Sequence, residues 1–344
     1  MKSYRGRVWV IADRPLGRPL RDTDFRLDEV SVAAPGDTRV LVRTLYLGFD
    51  PAQKGYMENV ASYAAPTEIG AIVPGQGVGR VVESGSPRFP VGSLASGPTG
   101  WREYALLDER ELEPLPPDLP PTVALGALGM TGKTAYFGLL HVGEPRAGDV
   151  LVVSGAAGAV GSVVGQIGRI AGCKVIGIAG GAEKCRWLVG ELGFDAAIDY
   201  KGEKLRARLK ELAPNGVDVL FDNVGGTILD EALSRIAFGA RVVICGAISR
   251  YNMNPRDIAS LPPGPRNYFN IVFNQATIRG FLVHQYAAHY GSAQERLVTW
   301  VREGRIRDYA DVMEGFENAP RALMRLFEGG NRGKQVVKVT GGDA

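Results

Sequence analysis

The sequence is poor in the residues that build metal centres and disulfide frameworks. It has three histidines, His141, His284 and His289, and three cysteines, Cys173, Cys185 and Cys245. No histidine precedes His141, and the cysteines lack C-x-x-C spacing. A metal site needs about three ligands from Cys, His or carboxylate. No disulfide framework, zinc lobe or catalytic metal is therefore expected. Long apolar runs are missing too, so no segment is expected to span a bilayer. The apolar run Val8–Ile11 meets Asp13 and Arg14 too soon to be a signal peptide. Blocks of like charge are absent: the net charge of +3 is spread over 344 residues. That pattern predicts no nucleic-acid and no membrane partner. These absences point to a soluble protein of a reducing cytoplasm. The length allows two domains of ordinary size.

Glycine is abundant, with 46 residues, and the most informative of them lie between Asp149 and Gly180. Val150, Leu151, Val152 and Val153 form an uninterrupted apolar run, the pattern of a strand buried on both faces. Ser154-Gly155-Ala156-Ala157-Gly158-Ala159-Val160-Gly161 follows, and then apolar residues at helical spacing: Val160, Val163, Val164, Ile167 and Ile170. Lys174–Ile178 reads as the next parallel strand. Strand, glycine turn, helix and strand in roughly 30 residues make a dinucleotide-binding βαβ unit. The first glycine of the usual G-x-G-x-x-G is Ala156, so Gly155, Gly158 and Gly161 give a looser variant. Gly158 suits close approach of a pyrophosphate, and Gly161 suits helix–strand packing.

The end of the second strand selects the nucleotide. A carboxylate about 20 residues past the turn would bind a ribose 2′-hydroxyl. Gly180-Gly181-Ala182 stands there, followed by Glu183, Lys184, Cys185 and Arg186. A cation at a helix N-terminus opposes the helix dipole, so Lys184 is expected to serve a 2′-phosphate. The cofactor predicted is NADP(H).

Residues 1–128 lack helical periodicity and read as a β-rich domain. Strands are expected at Val8–Ala12, Phe25–Val32, Val40–Leu45, Gly79–Val82 and Glu103–Leu107. The proline-rich stretch Glu113–Pro121 reads as a connector, with a helical pattern at Thr122–Leu140. From Asp149 helices and strands alternate: helices near Glu183–Glu191, Lys204–Leu212, Leu229–Ile236 and Ala293–Glu303, strands at Ala196–Ile198, Val217–Phe221, Val242–Cys245 and Thr277–Val283. Asn254–Arg266 is a loop. A helix at Ala319–Phe327 and a strand at Gln335–Val339 return to the first domain. The expectation is an α/β protein, with a β-rich domain over 1–128 completed by 310–344 and a doubly wound parallel sheet of the Rossmann type over 129–309.

Ligands of open parallel sheets bind beyond the carboxyl ends of the strands. Asp222–Gly226, Gly246–Asn252 and Gly280–Val283 occupy such tips. Position makes all three candidates for the nicotinamide half of the cofactor.

With these stretches the chain resembles the medium-chain dehydrogenase/reductases. It is similar to their zinc-independent branch, which contains leukotriene dehydrogenase/prostaglandin reductase, plant alkenal double-bond reductases and bacterial curcumin-reductase-like enzymes. The likeness also rests on Leu47–Pro51, Pro74–Gly85, Gly129–Tyr136, Cys245–Asn252 and Asn331–Lys338. The zinc alcohol dehydrogenases of this superfamily have Gly-His-Glu where Gly75-Gln76-Gly77 stands. The resemblance implies a barrel-like first domain similar to the chaperonin-10 fold, and a homodimer. By it, Gly158, Ala159, Val160 and Gly161 cradle the pyrophosphate, and Lys184 and Tyr200 contact the 2′-phosphate. Asn223, Cys245, Gly246, Ala247, Ile248, Ser249, Tyr251, Phe281, Leu282, Val283 and Asn331 line the rest of the cofactor. The implied reaction is metal-free hydride transfer to the β-carbon of an α,β-unsaturated ketone or aldehyde. Tyr251 is the leading catalytic residue, because a phenol with a pKa near 10 can donate to an enolate oxygen at neutral pH. Two other readings share the scaffold: a quinone reductase and a nucleotide-binding protein without turnover. The chain departs from plant members at Ala52 and Lys54, where they often carry tyrosine and arginine, which implies a lost substrate contact and a larger pocket. Thr131 stands where many members have proline.

Overall fold

The computed structural model describes residues 2–58, 60 and 67–339. The chain divides into two compact units: Met1–Leu125 with Tyr251–Leu261 and Ala310–Ala344, and Gly126–Arg250 with Pro262–Tyr309.

The first unit opens with strands β1 (Ser3–Ile11) and β2 (Phe25–Ala33), an antiparallel pair. Strand β3 (Arg39–Gly48), helix α1 (Ala52–Met57) and strands β4 (Gly77–Ser84), β5 (Leu94–Gly97), β6 (Tyr104–Asp108) and β7 (Glu113–Pro114) follow. Strand β3 is the organiser. One edge pairs with β4, and the other is shared between β6 at Arg39–Arg43 and the C-terminal segment at Tyr46–Gly48. Its apolar run Val40–Val42 is accordingly fully buried. Helix α1 lay outside the expected pattern because it is six residues long, too short for periodicity to register. It is held by its own polar residues: Gln53 Nε2 donates to the carbonyls of Gly48 and Pro74 at 3.3 and 3.0 Å.

The second unit contains helix α2 (Met130–Phe137), then β8 (Val150–Ser154), α3 (Ala159–Ile170), β9 (Lys174–Ala179), α4 (Ala182–Gly190), β10 (Ala196–Asp199), α5 (Leu205–Leu212), β11 (Val217–Asp222), α6 (Gly226–Leu233), β12 (Ile236–Ile244), α7 (Asn270–Phe273), β13 (Thr277–Gly280) and α8 (Tyr290–Arg302). The strands form one parallel sheet in the order β10-β9-β8-β11-β12-β13. The order reverses between β8 and β11, the switch point at which doubly wound sheets bind ligands.

Three expectations change here. The helix expected near Leu229–Ile236 ends at Leu233, and Ile236 already opens β12, six residues before the strand expected at Val242. The helical stretch at Thr122–Leu140 is broken: a 3-10 turn at Pro121–Ala124 precedes α2, which starts only after Gly129 in extended conformation. The strand expected over Thr277–Val283 stops at Gly280, because its partner β12 ends at Ile244, which faces Gly280.

The chain then returns to the first unit with β14 (Ala310–Glu314), α9 (Ala319–Phe327) and β15 (Lys334–Lys338). Strand β15 joins β3, and β14 adds a short parallel edge to it. Helix α9 buries Ala319, Ala322, Leu323 and Leu326 against Ile11, Phe25, Phe49 and Trp101 from the first hundred or so residues. The core of the unit is therefore shared between distant parts of the chain. Leu323 is fully buried in it. Leu323→Ala should cost about 2–5 kcal/mol, read as a lower denaturant midpoint. A loss under about 0.5 kcal/mol, the range of an ordinary surface substitution, would show that the helix is a dispensable appendage.

Candidate cofactor site at the strand tips

The glycine turn occupies the expected place between β8 and α3. Its geometry explains the residues. A methyl group at Gly161 would lie 2.4 Å from the Gly155 carbonyl oxygen and 2.8 Å from Ala156 Cα. Backbone cannot retreat from such contacts, so only glycine lets α3 start this close to β8. Gly158 has φ −84° and would place a methyl 3.2 Å from Gly155 O. That contact is tight but far milder than the one at Gly161, so the bareness of Gly158 matters chiefly for what approaches from outside. The first i→i−4 bond of α3 is made by Ser162 to Gly158. The amides of Ala159, Val160 and Gly161 precede it and aim along the positive end of the helix, a ready anion site.

A buried carboxylate ties the neighbouring tips together. Asp222 accepts from Ser154 Oγ at 2.6 Å and from the amides of Gly225 and Val224 at 2.9 and 3.3 Å. Burial pushes its carboxyl up from the ordinary carboxylate range, and those hydrogen bonds pull the other way. Asn223 Nδ2 donates to Ser154 O at 2.7 Å, and its amide donates to Ser154 Oγ at 2.8 Å. The amides of Cys245 and Gly246 donate to Asp222 O at 2.9 and 3.2 Å. Ser249 Oγ closes onto Val224 O at 2.6 Å, and Ala247 and Ile248 lie on the same loop, which bonds back to Asn223 and Ala247 itself through Ile248 and Arg250. The sequence places Asp222 and Asn223 at one tip and Ser154 at the start of the glycine turn, but it does not show that Ser154 and Asp222 hold the tips together. A serine ending one strand and an aspartate ending another was the only available sign.

Past β13, Phe281 packs against helix α2's extension, 2.5 Å from where a methyl at Gly138 would stand. Leu282 is partly exposed, and the Val283 carbonyl accepts from Tyr290 at 3.1 Å.

At the β9 tip, Tyr200 and Lys201 lean over Gly180. A methyl there would meet Lys201 Cε at 2.9 Å and Tyr200 Cε1 at 3.1 Å. Lys184 is half-buried in the first turn of α4. A carboxylate is present beside this tip after all, supplied by the adjacent strand. Asp199 Oδ1 accepts from the amides of Gly181 and Lys201 at 2.8 and 3.0 Å. Those amides, Gly181 first, hold its carboxyl below the usual range. It is committed to shaping the turn, and the cationic character of the surroundings stands.

Tyr251 and Asn331 fall in the first unit. Asn331 is buried and donates to Gly333 O at 2.9 Å. Thr131, the departure from proline, donates to Gly126 O at 2.9 Å.

A family described as the N-terminal domain of oxidoreductase matches residues 7–115, and one described as zinc-binding dehydrogenase matches residues 159–299. The NADPH-dependent curcumin reductase of Escherichia coli K12 is 40% identical, over 99% of each chain. The NADP(+)-dependent 2-alkenal reductase of Nicotiana tabacum is 37% identical, over 93% of this chain and 94% of its own. The structure of CurA from Vibrio vulnificus in complex with NADPH superimposes with a TM-score of 0.89 at 38% identity, covering 98% of this chain and 100% of that one.

The residues present fit a dinucleotide with an extra phosphate: bare amides for the pyrophosphate, and Lys184, Tyr200 and Lys201 around the β9 tip. They do not fit a zinc ion. Among the described residues no three His, Cys, Asp or Glu side chains converge. Burial pushes the Cys245 thiol up to about 12, so it stays protonated at neutral pH.

The two glycines separate fold from binding. Gly158→Ala should leave stability within about 0.5 kcal/mol while weakening NADPH binding roughly tenfold or more, since one methyl displaces the pyrophosphate from the amides. Gly161→Ala should destabilise by about 1–3 kcal/mol through overpacking. Fluorescence titration with NADPH and thermal melts check both; unimpaired NADPH binding by Gly158→Ala would place the pyrophosphate elsewhere.

Proposed function

Because the chain belongs to the zinc-independent branch of the medium-chain dehydrogenase/reductases, it is an NADPH-dependent reductase of carbon–carbon double bonds conjugated to a carbonyl, and we propose the residues that carry the reaction. The α3 amides of Ala159, Val160 and Gly161, with Gly158, hold the pyrophosphate. Lys184 and Tyr200 hold the 2′-phosphate, and Asn223, Cys245–Ser249, Tyr251, Phe281–Val283 and Asn331 line the remainder. The bound cofactor supplies a hydride to the β-carbon of an α,β-unsaturated ketone or aldehyde. Negative charge then moves to the carbonyl oxygen. The Tyr251 hydroxyl donates a hydrogen bond to that oxygen, and the α-carbon takes its proton from water or from this hydroxyl. No strong acid is required. The observation that carries this reading is the β9 tip, with Lys201 over it and Lys184 in the following helix, beside a bare helix N-terminus, on a chain that the curcumin reductase matches over nearly its whole length.

Removing a donor of this kind costs about 3 kcal/mol, roughly two orders of magnitude in rate. Tyr251→Phe should therefore lower kcat for an alkenone about 100-fold while NADPH binds as before. Consumption of NADPH should survive a chelator and should be faster with alkenones and alkenals than with quinones. Wild-type turnover by Tyr251→Phe would remove the proposed donor, and a preference for quinones would replace the substrate class.

We further propose a homodimer formed on the second unit. Strand β13 is a sheet edge with all four residues exposed. It carries Ile278, 43% exposed, and near it in the chain and sheet are Phe273, 70% exposed, and Phe238, Phe269 and Val272. An open edge flanked by apolar side chains is an aggregation site unless covered, and a second copy covers it by edge pairing. Light scattering should give twice the 344-residue mass, and Ile278→Lys should shift it to monomer; a monomeric wild type would refute the assembly. The three unpaired cysteines support a reducing, cytoplasmic location, and no helix among the described residues is long and apolar enough to cross a membrane.

A further inference from the structure

Lys54 is a charge that the reaction above leaves unused, and it sits where charge is costly. It lies on α1 and is 1% exposed. Lysine is almost never buried this fully without partners. Among the described residues its ammonium has two. One is the carboxylate of Glu58, one helical turn on and itself buried. The other is the backbone carbonyl of Tyr251, which accepts from Nζ at 2.5 Å. Burial lowers the lysine pKa, and the hydrogen bond that it donates to Glu58 opposes that shift in part. The departure from the plant pattern at this position is thus a filled, partnered place within the first unit.

The position of the acceptor gives the contact its meaning. Tyr251 heads the segment Tyr251–Leu261, which the first unit takes from the middle of the chain. The segment has a second fastening at Asn254, whose Cβ lies 2.9 Å from where a methyl at Gly17 would stand. Helix α1, which carries Lys54, is itself pinned by Gln53, and just ahead of it Lys334 pairs with Asp50 at 2.6 Å. A fixed helix therefore presents a fixed ammonium to the residue from which the Tyr251 side chain departs.

We infer that Lys54 is a positioning residue for double-bond reduction: its ammonium, steadied by Glu58, anchors the Tyr251 carbonyl and thereby aims the Tyr251 hydroxyl. The inference rests on the reading of Tyr251 as the hydroxyl donor. A lysine suits the task because its three donors reach a carboxylate and a carbonyl at once. A misplaced catalytic group costs rate even when every reacting atom is present.

A double-mutant cycle tests this. Lys54→Met should lower kcat for an alkenone about tenfold, a loss of the size that misplacement of a catalytic group produces. NADPH affinity, measured by fluorescence, should stay within about twofold, and Lys54→Arg should recover most of the rate, since it restores a buried cationic donor. In the Tyr251→Phe background, Lys54→Met should cost under about twofold more, because the hydroxyl it aims is already gone. Wild-type kcat in Lys54→Met, or an equal loss in both backgrounds, would overturn the anchor. Wild-type kcat in Tyr251→Phe alone would overturn the donor, whatever Lys54→Met does. If Lys54→Met does not fold, Lys54→Gln, uncharged but still a donor, carries the same cycle; failure of both to fold would mark the contact as purely structural and overturn the inference.

Discussion

The cofactor site depends on one buried carboxylate. Asp222 ends β11, and its side chain takes the hydroxyl of Ser154 at the end of β8 and the amides that open α6. Its backbone carbonyl takes the amides that follow β12. Three neighbouring strand tips are thereby locked at the switch point of the sheet. A buried charge without such partners would be strongly destabilising, so the loops cannot drift without exposing the cost. The surfaces proposed to face the cofactor, Asn223 and Cys245–Ser249, are thereby supported from below.

A similar economy governs the β9 tip. Asp199 could have served as the acidic residue that binds a ribose hydroxyl, but backbone amides occupy it. Its function is to bring Tyr200 and Lys201 over Gly180. The same residue type therefore shapes a turn that carries a lysine, and only its hydrogen bonds distinguish that role from the opposite one.

Much of this was readable in residue order. The uninterrupted apolar strands β8 and β9 and the glycine turn between them need only local pattern, because a buried parallel strand and an amphipathic helix each leave a period in the sequence. The lack of a strand-tip carboxylate and the presence of Lys184 were equally local. The failures were also physical. Helix α1 is too short to show a period. Strand β13 ends early because its neighbour does, a fact that no residue in Thr277–Val283 records. Lys54 reads only as a departure from the plant pattern, since neither its burial nor its partner almost two hundred residues away is encoded nearby.

By itself, then, the chain's order of residues determined two kinds of layered architecture, the glycine turn proposed to receive a pyrophosphate, the choice of the phosphorylated nucleotide and the poverty of metal ligands, because each of these depends on spacing or on residue type alone. Tertiary structure decided what pairwise contact decides: that Tyr251–Leu261 joins the first unit, that Asp222 locks three tips, that Asp199 is spent on backbone amides and that a buried ammonium grips the Tyr251 carbonyl. Contacts between residues far apart in the chain form only when the sheets close, and no local pattern carries them.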